Sequence, residues 1–247
     1  MTRIRADLHI HSVLSPCGSL EMSPRAIVHR ALELKLHLIA ITDHNSLANS
    51  LLAAPYARKN GLEFLYAVEA QSIEEVHLLA YFEDEKVAER FSAGLEPWMP
   101  TLLNNPDYFG EQLIVDQEDE IIGREERQLI SSLNLDIDSL TELIVSHGGV
   151  AVPAHVSAEQ FGVYRQLGML PGCLSLNPLE IDYITPPEEV LKIDPDVDPA
   201  RFICSSDAHY LGDIGRGQTI FDFSGEKILD IFHAPRVLHQ PRLSPLP

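Results

Sequence analysis

Basic residues are scarce in this chain. Its 247 residues include 18 Lys and Arg against 37 Asp and Glu, which gives a formal net charge of −19. Because proteins hold the backbone of nucleic acids with a positive surface, this balance argues against long nucleic acid as a partner. A small phosphorylated substrate remains compatible with the acidic balance, since bound metal ions can supply positive charge locally whatever the global sign.

Cysteines and long apolar runs are also few. The three cysteines have no paired spacing, which argues against a disulfide framework and favours a reducing compartment. No apolar run reaches the length of a membrane-spanning helix, and Met1-Thr2-Arg3 leads directly into the first predicted strand, so no signal peptide is expected. We therefore predict a cytoplasmic protein with no membrane partner, and the sequence leaves its oligomeric state open.

The chain does contain a regular alternation of apolar runs and helical stretches. Hydrophobic residues make up 45% of the chain, which is enough for a globular core. One helix is predicted to begin after Ser23 with Pro24 at its first position, and a second is predicted to be capped by Asn45 or Ser46 and to run to Lys59. The repetition of strand and helix predicts an α/β fold. The predicted strands cover residues 3–8, 36–42, 62–68, 76–82, 149–154 and 201–206.

Side chains that bind metals stand at the ends of these predicted strands. His9 and His11 are two residues apart at the end of the first strand, so both imidazoles lie on one face and can bind the same ion. In parallel α/β folds the active site lies at the carboxyl ends of the strands. The repetition of these residue types at successive strand ends predicts a metal site. The other candidates are His44, Glu69, His77 (near the start of its strand), His155, Asp207 and His209.

Five further histidines do not follow this pattern. Some lie in or beside predicted helices, where a cation near a helix C-terminus is favourable, and others lie late in the chain away from any predicted strand end. We expect these to be structural or solvated: His29, His37, His147, His233 and His239.

The candidate ligands lie in six short segments spread from residue 7 to residue 209. These are Asp7-Leu8-His9-Ile10-His11-Ser12, Ile41-Thr42-Asp43-His44, Val68-Glu69, His77-Leu78-Leu79-Ala80-Tyr81, Pro153-Ala154-His155 and Ser206-Asp207-Ala208-His209. Together and in this order they resemble the PHP (polymerase and histidinol phosphatase) family of metal-dependent phosphoesterases. The resemblance implies a single distorted TIM-like (β/α)7 barrel with a metal cluster at the C-terminal ends of its strands. It also implies two or three divalent metal ions of zinc, manganese or iron as cofactors.

The resemblance further implies how the ligands are shared among the ions. The first ion would take His9, His11 and Asp207, with Glu69 bridging to a second ion that takes His77 and His155, and a third would take His44, His209 and Cys17. Family members often have His or Asp in the loop where this chain has Cys17. A thiolate ligand there would favour zinc over manganese or magnesium. The alternative for Cys17 is a loop thiol with no ligand role.

Three more residues are candidates for catalytic roles. Asp7 and Asp43 stand beside proposed ligands, and each could orient an imidazole through a hydrogen bond. Arg216 lies in Gly215-Arg216-Gly217, where a flexible turn could let its guanidinium bind a phosphate with two hydrogen bonds. The alternatives are a strand-end hydrogen bond for Asp7 and an exposed turn arginine for Arg216.

One catalytic barrel is predicted to cover residues 1–234, followed by an extended proline-rich tail over residues 235–247. Residues 83–137 fit the pattern poorly, because they contain helical and acidic stretches with no clear strand, including Asp116-Gln117-Glu118-Asp119-Glu120. This region is either an excursion near the site or a charged, solvated surface, and charge runs favour the second.

The resemblance and the ligand set predict hydrolysis of a small phosphomonoester, such as a nucleotide or related metabolite, by attack of a metal-bridging hydroxide on phosphorus. One alternative is a phosphodiesterase or exonuclease acting on short oligonucleotides. Another is an amidohydrolase-like C–N hydrolase, although no strand-end lysine is found that could form a bridging carbamate. A non-catalytic metal-binding module is the last alternative, and the intact ligand set argues against it.

Overall fold

A curled seven-stranded sheet forms the centre of the molecule, as seen in a computed structural model that describes residues 2–240. Its strands are, in order across the sheet, β11 (Arg236–His239), β10 (Gln218–Phe223), β1 (Thr2–Asp7), β2 (Leu38–Ile41), β3 (Glu63–Gln71), β4 (His77–Phe82) and β7 (Val150–Pro153). The six strands expected from the sequence all form: five lie in this sheet, and the sixth, at Phe202–Cys204, pairs in a smaller sheet.

Two smaller sheets and seven α-helices complete the described fold. β5 (Leu113–Val115) pairs with β6 (Ile121–Arg124) in an antiparallel hairpin, and β8 (Leu179–Ile181) pairs with β9 (Phe202–Cys204) in parallel. The helices are α1 (Pro24–Glu33), α2 (Ala48–Lys59), α3 (Glu85–Leu95), α4 (Pro106–Phe109), α5 (Ile137–Ser146), α6 (Val163–Leu167) and α7 (Pro187–Ile193). None of the helices between residues 2 and 240 is long and apolar enough to span a membrane.

The strand directions differ from the strict (β/α)7 pattern that the resemblance implied. β1, β2 and β3 run parallel, but β4 is antiparallel to both β3 and β7, and β10 is antiparallel to β1. The reason is the short connection between β3 and β4, because a parallel pair needs a crossover of a dozen or more residues. The fold is therefore an α/β fold with a curled, mixed sheet.

Both faces of the central strands are buried, and this explains their continuous apolar sequences. In β2, Leu38 and Ala40 pack into the core inside the curl, whereas Ile39 and Ile41 pack on the outer side. In β3, Leu65 and Ala67 lie inside the curl. Since side chains alternate along a strand, the next residue on that inner face is position 69. The alternation thus directs the carboxylate of Glu69 to the inside of the sheet.

The helix starts are only partly as expected. Ser23 caps α1 by accepting a hydrogen bond from the Ala26 amide, with Pro24 at the first position. The expectation that Asn45 or Ser46 is the N-cap of α2 is wrong, because that helix begins after Leu47 without a side-chain cap, although the Ser46 hydroxyl accepts from the Ala48 amide at 3.3 Å. Asn45 instead accepts from the Gln71 amide at 2.9 Å and donates to two carbonyls of the loop at residues 129–131.

Residues 83–137 contain more structure than the sequence indicated. They include α3, α4 and the β5–β6 hairpin, so the expectation of no strand there is wrong for residues 113–124. The acidic run forms the turn of this hairpin, where the Asp116 amide donates to the Glu120 carbonyl. At the other end of the chain, β11 joins the main sheet, so the barrel does not end at residue 234, and residues 241–247 of the expected tail lie outside the described part.

We predict that Gly217→Ala destabilises the fold strongly. A Cβ at position 217 would overlap the backbone carbonyl oxygen of Ser205, and backbone cannot move aside as a flexible side chain can. The expected loss in the free energy of unfolding is about 3 kcal/mol, at the upper end of overpacking costs. Urea unfolding measures it. Gly172→Ala is the control, because a Cβ there meets no atom within 4 Å. Equal stability of the two variants would contradict the close approach.

Candidate metal centre

The Glu69 carboxylate lies at the centre of the candidate site. Its side chain is 1% exposed, and five imidazoles surround it. We call these six side chains the Glu69 cluster. The nitrogens nearest the two carboxylate oxygens are His77 Nδ1 at 2.8 Å, His44 Nδ1 at 3.1 Å, His9 Nε2 at 3.3 Å, His155 Nε2 at 3.3 Å and His11 Nε2 at 3.5 Å.

Strand ends bring these residues together. Beyond β1, Ile10 bridges in parallel to Ala208, and beyond β2, His44 bridges in parallel to Glu69. His77 stands at the first residue of its strand, yet it reaches the same edge because β4 runs antiparallel to β3 and pairs His77 with Gln71. The antiparallel direction of β4 thus explains why a residue near a strand start lies with residues at strand ends.

Asp207, His209 and Cys17 lie beside the cluster. Asp207 Oδ1 is 3.3 Å from His9 Nε2 and 3.2 Å from His11 Nε2. Ligand atoms of His11, Cys17 and His209 all lie within 4.8 Å of one another. The same holds for His44, Glu69 and His77. His44 lies close to Glu69 through its Nδ1 and also close to Cys17, a member of the expected third set.

Backbone strain is concentrated around this site. Four non-glycine residues there have positive φ angles: Asn45 at 50°, His155 at 29°, Phe161 at 61° and Asp207 at 49°. Non-glycine residues rarely adopt this conformation, which costs about 1–3 kcal/mol each, and it is typical of functional sites. Phe161 also stacks its ring on His77, with centroids 4.3 Å apart.

The electrostatics of the cluster favour a charged carboxylate among imidazoles. Burial alone would raise the pKa of Glu69, but the facing imidazoles of His77, His9 and His44 hold it well below its usual range. Burial would lower the pKa of His44, but the nearby Cys17 and Glu69 outweigh burial and raise it to about 9. For His77 burial prevails, and the pKa falls to about 4 in spite of Glu69.

The two expected acidic partners are buried but touch no imidazole directly. Asp43 accepts hydrogen bonds from the hydroxyls of Ser12 at 2.6 Å and Ser15 at 2.7 Å. The Ser15 oxygen lies 3.0 Å from His11 Nδ1, so Asp43 acts on that imidazole through a serine. Asp7 accepts from the backbone amides of Ser206 and Gly215, and so joins the segment after β9 to β1.

Gln71 and Glu180 contact histidines of the cluster, and sequence reasoning did not identify them as site residues. Gln71 Oε1 accepts from His77 Nε2 at 3.1 Å, and its amide nitrogen donates to Ser132. Glu180 Oε2 lies 2.8 Å from His9 Nδ1. The signal for Glu180 was an acidic residue between two apolar ones in Leu179-Glu180-Ile181, a strand too short to recognise.

The last catalytic candidate, Arg216, and the five histidines expected to be structural or solvated are not members of the Glu69 cluster. Arg216 pairs with Asp213 at 2.6 Å and is half exposed, so its guanidinium is already bound to a carboxylate. His37, His29 and His147 make structural hydrogen bonds with the Arg5 amide, the Tyr56 hydroxyl and the Leu143 carbonyl, respectively, and His233 and His239 are exposed.

The donor set fits divalent metal ions. Imidazole nitrogens, carboxylate oxygens and one thiol are the ligands that zinc, manganese and iron take in proteins. Buried polar atoms normally have partners, yet His155 Nδ1 and Glu180 Oε1 have none among the described residues. A cavity of about 840 Å³ opens on the cluster, so a substrate can reach it.

Comparisons with known proteins agree with this site. The model of the PHP domain matches residues 7–146, and the model of a PHP-associated region matches residues 200–236. The PolC-type DNA polymerase III of Oceanobacillus iheyensis is 33% identical over 82 residues, which are 33% of this chain and 6% of the polymerase. The chain thus spans a small part of this curated relative.

Solved structures show the same fold at low sequence identity. The lesion-specific endonuclease PfuEndoQ from Pyrococcus furiosus has a TM-score of 0.67 at 19% identity, over 96% of this chain and 58% of that one. A putative metal-dependent phosphoesterase from Bifidobacterium adolescentis has a TM-score of 0.56 at 22% identity, over 83% of this chain and 87% of that one. The chain therefore spans little more than half of the endonuclease.

The exclusion of long nucleic acid as a partner is wrong. Endonuclease Q in complex with a 27-mer duplex, whose abasic lesion lies at the active site, matches with a TM-score of 0.66 at 19% identity, over 94% of this chain and 56% of that one. A net charge of −19 is a sum over the whole chain, whereas binding depends on the charge near the site, and metal ions change that charge locally.

The family itself is decided by the sequence match rather than by these shapes. The matched segment at residues 7–146 contains the first five residues of the Glu69 cluster in chain order, and the second match contains Asp207 and His209. Since the first match covers more than half of the chain, this protein belongs to the PHP domain family.

Proposed function

We propose that this chain hydrolyses a phosphomonoester of a small metabolite or nucleotide with the help of two or three divalent metal ions. The family is one of metal-dependent phosphoesterases, which supports the reaction class. The observation that carries the proposal is the Glu69 cluster, in which five imidazoles lie within 3.5 Å of one buried carboxylate. A structural role for so many buried ionisable groups would be costly without cations to bind them.

The ions would be held by the residues of the cluster and its neighbours. We propose as ligands His9, His11, Cys17, His44, Glu69, His77, His155, Asp207 and His209. Divalent ions bound there would lower the pKa of a water molecule and neutralise negative charge on phosphoryl oxygens.

The protein's own contribution is to orient these ligands. Ser15, held by Asp43, accepts the Nδ1–H of His11, and this leaves Nε2 directed at Glu69. Gln71 accepts the Nε2–H of His77, and this leaves Nδ1 directed at Glu69. Partners of this kind fix the tautomer and the ring orientation of a metal-binding histidine.

The cavity above the cluster supports a substrate with little charge beyond its scissile phosphoryl group. None of the residues that line it in the described part of the chain is a lysine or arginine. Besides the proposed ligands, the apolar and aromatic side chains of Ile130, Phe161, Tyr183, Ile184 and Tyr210 line it, together with the acidic Asp182 and Asp213. The absence of lysine also leaves no residue there for the carbamate bridge of an amidohydrolase-like site.

A second candidate is hydrolysis of a phosphodiester in DNA. The observation that favours it is the similarity of fold to endonuclease Q, which has been solved with a duplex DNA substrate. The chemistry at phosphorus would use the same residues. The two candidate functions differ in the substrate: the cavity would hold a small phosphomonoester in the first, and the cavity and the surface around it would hold a DNA strand in the second.

The proposed function is tested by phosphate release from nucleotides, sugar phosphates and histidinol phosphate, and by cleavage of a duplex with an abasic site. Each assay is run with Zn²⁺ or Mn²⁺ and with a chelator. We expect chelator-sensitive release from monoesters. His9→Ala should reduce it by more than about 100-fold, because loss of even an outer partner of a ligand costs about 10–100-fold.

The matched control is His233→Ala, which removes an exposed histidine outside the cluster. Cleavage of the duplex without release from monoesters would favour the second candidate. Activity that survives both chelation and His9→Ala would refute a metal-dependent reaction at this site.

We predict that Cys17→Ser lowers the number of zinc ions bound, by up to one per chain, and shifts the metal preference towards manganese. A hydroxyl is a poor zinc ligand, whereas a thiolate is a strong one. Metal content after dialysis against equal Zn²⁺ and Mn²⁺ measures this. Cys173→Ser is the control, since that thiol lies 3.8 Å from the Thr141 hydroxyl on α5 and is not one of the proposed ligands. Identical metal content in the two variants would show that Cys17 is not a ligand.

Metal binding is predicted to release protons. With a pKa of about 9, His44 is protonated at pH 7 in the metal-free protein, and a metal ion needs its neutral nitrogen. Apparent metal affinity should therefore rise between pH 6.5 and 9. A raised histidine pKa stabilises the metal-free fold below pH 6.5, and this stabilisation is lost as pH rises through 9.

Calorimetry in two buffers of different ionisation enthalpy measures the protons released. Thermal unfolding between pH 6.5 and 9 measures the loss of stability of the metal-free protein. This loss should be absent from the metal-loaded protein. The same heat of binding in both buffers at pH 7 would contradict the raised pKa of His44.

A further inference from the structure

Glu180 makes the shortest contact between His9 and a residue outside the Glu69 cluster. Its Oε2 lies 2.8 Å from His9 Nδ1, and the two side chains are 2% and 0% exposed. The other ring nitrogen, Nε2, lies 3.3 Å from Glu69 Oε1 and 3.3 Å from Asp207 Oδ1. The imidazole of His9 thus lies between Glu180 on one side and the carboxylates of Glu69 and Asp207 on the other.

The short strand β8 determines where Glu180 points. Leu179 and Ile181 belong to the core on the outer side of the main sheet. Because side chains alternate along a strand, Glu180 points the other way, towards the inside of the curl. Its partner in the β8–β9 register is Ile203, which belongs to the inner core. Glu180 therefore enters the site from a strand that carries none of the predicted ligands.

The same carboxylate oxygen also accepts a hydrogen bond from the backbone amide of His155, at 3.2 Å. His155 has a φ angle of 29°, a strained conformation that needs support from its surroundings. Glu180 thereby connects the histidine that follows β1 with the histidine that follows β7. The other oxygen, Oε1, is buried and has no hydrogen-bond partner among the described residues.

A buried carboxylate with only one satisfied oxygen costs stability, so its presence calls for a compensating role. We propose that Glu180 is a positioning residue that accepts the Nδ1–H of His9 and so fixes the tautomer whose Nε2 lone pair binds metal. The proposal rests on the proposed function, because it assumes that His9 is a ligand. A carboxylate in this position also makes the imidazole a stronger donor to the metal.

Glu180 differs in charge from the equivalent partners of His11 and His77. Ser15 and Gln71 are neutral acceptors, and they fix a tautomer without adding charge. Glu180 adds a negative charge as well. Its removal is therefore expected to weaken metal binding both by freeing the tautomer and by lowering the basicity of His9.

The test uses the full chain, stripped of metal and titrated with Zn²⁺ against a chromophoric chelator. Glu180→Ala should lower the affinity of the weakened site by about 10–100-fold. Glu180→Gln should recover a large part of this loss, because its amide oxygen can still accept from Nδ1–H. Glu189→Ala is the control, since that carboxylate is exposed and pairs with Lys192 on α7.

A spectroscopic measurement separates positioning from a general loss of structure. With ¹⁵N-labelled histidine, the zinc-loaded protein should show a His9 ring whose Nδ1 is protonated, and the signal is assigned by its absence from His9→Asn. Glu180→Gln should retain this protonated Nδ1 even if Glu180→Ala does not fold.

Wild-type affinity in Glu180→Ala, equal losses in the alanine and glutamine variants, or a His9 ring protonated at Nε2 would each overturn the proposal. None of these outcomes touches the proposed function, provided that the wild-type protein binds zinc and shows chelator-sensitive phosphate release. Failure of the wild-type protein to bind zinc at all would overturn both.

Discussion

The burial of one carboxylate is the constraint on which the rest of this structure depends. Glu69 is removed from water by the curled sheet, and a buried charge is tolerated only with counter-charges and hydrogen-bond donors around it. Five imidazoles surround it, but they cannot all be positively charged so close together, since like charges raise the energy of one another. This conflict is visible in the opposite pKa shifts of His44 and His77. Divalent cations bound there would resolve it, because they would satisfy the carboxylate and accept the lone pairs of neutral imidazoles.

The fold serves this cluster through a second layer of side chains. His9, His11 and His77 each direct one ring nitrogen at Glu69 and give the other to an acceptor outside the cluster. These acceptors are held in turn, as Gln71 is by Ser132. The acceptors are Gln71 on β3, Glu180 on β8 and Ser15 in the loop after β1, so segments far apart in sequence together orient the histidines. Several site residues adopt strained backbone conformations, and the surrounding contacts must stabilise these conformations.

The ligand types and their order were predictable because they follow buried strands, and burial leaves a clear apolar pattern next to each polar residue. The direction of β4 was also predictable, because only seven residues separate the predicted strands at 62–68 and 76–82, too few for the crossover that a parallel pair needs, but the resemblance to a (β/α)7 barrel implied a parallel strand. Glu180 was missed because β8 has three residues, too few for alternation to be recognised. The role of Asn45 was misread because its partners are the Gln71 amide and a loop more than eighty residues away, and local capping rules do not include such contacts. The net charge led to the wrong exclusion of long nucleic acid, because a total over the whole chain does not tell where the charges lie relative to the site.

The bridge between Ile10 and Ala208 has a consequence for the order of assembly. The first proposed ligand along the chain is His9 and the last is His209, so the site is built from segments far apart in sequence. The ends of a long stretch of chain must be brought together before such contacts can form, and this closure has an entropic cost. A chain still emerging from the ribosome can build β1, β2 and β3 with their helices, but it has no complete cluster. A product truncated before residue 155 would therefore have the histidines of the first motif but neither His155 nor the Asp207-Ala208-His209 segment that lies beside them.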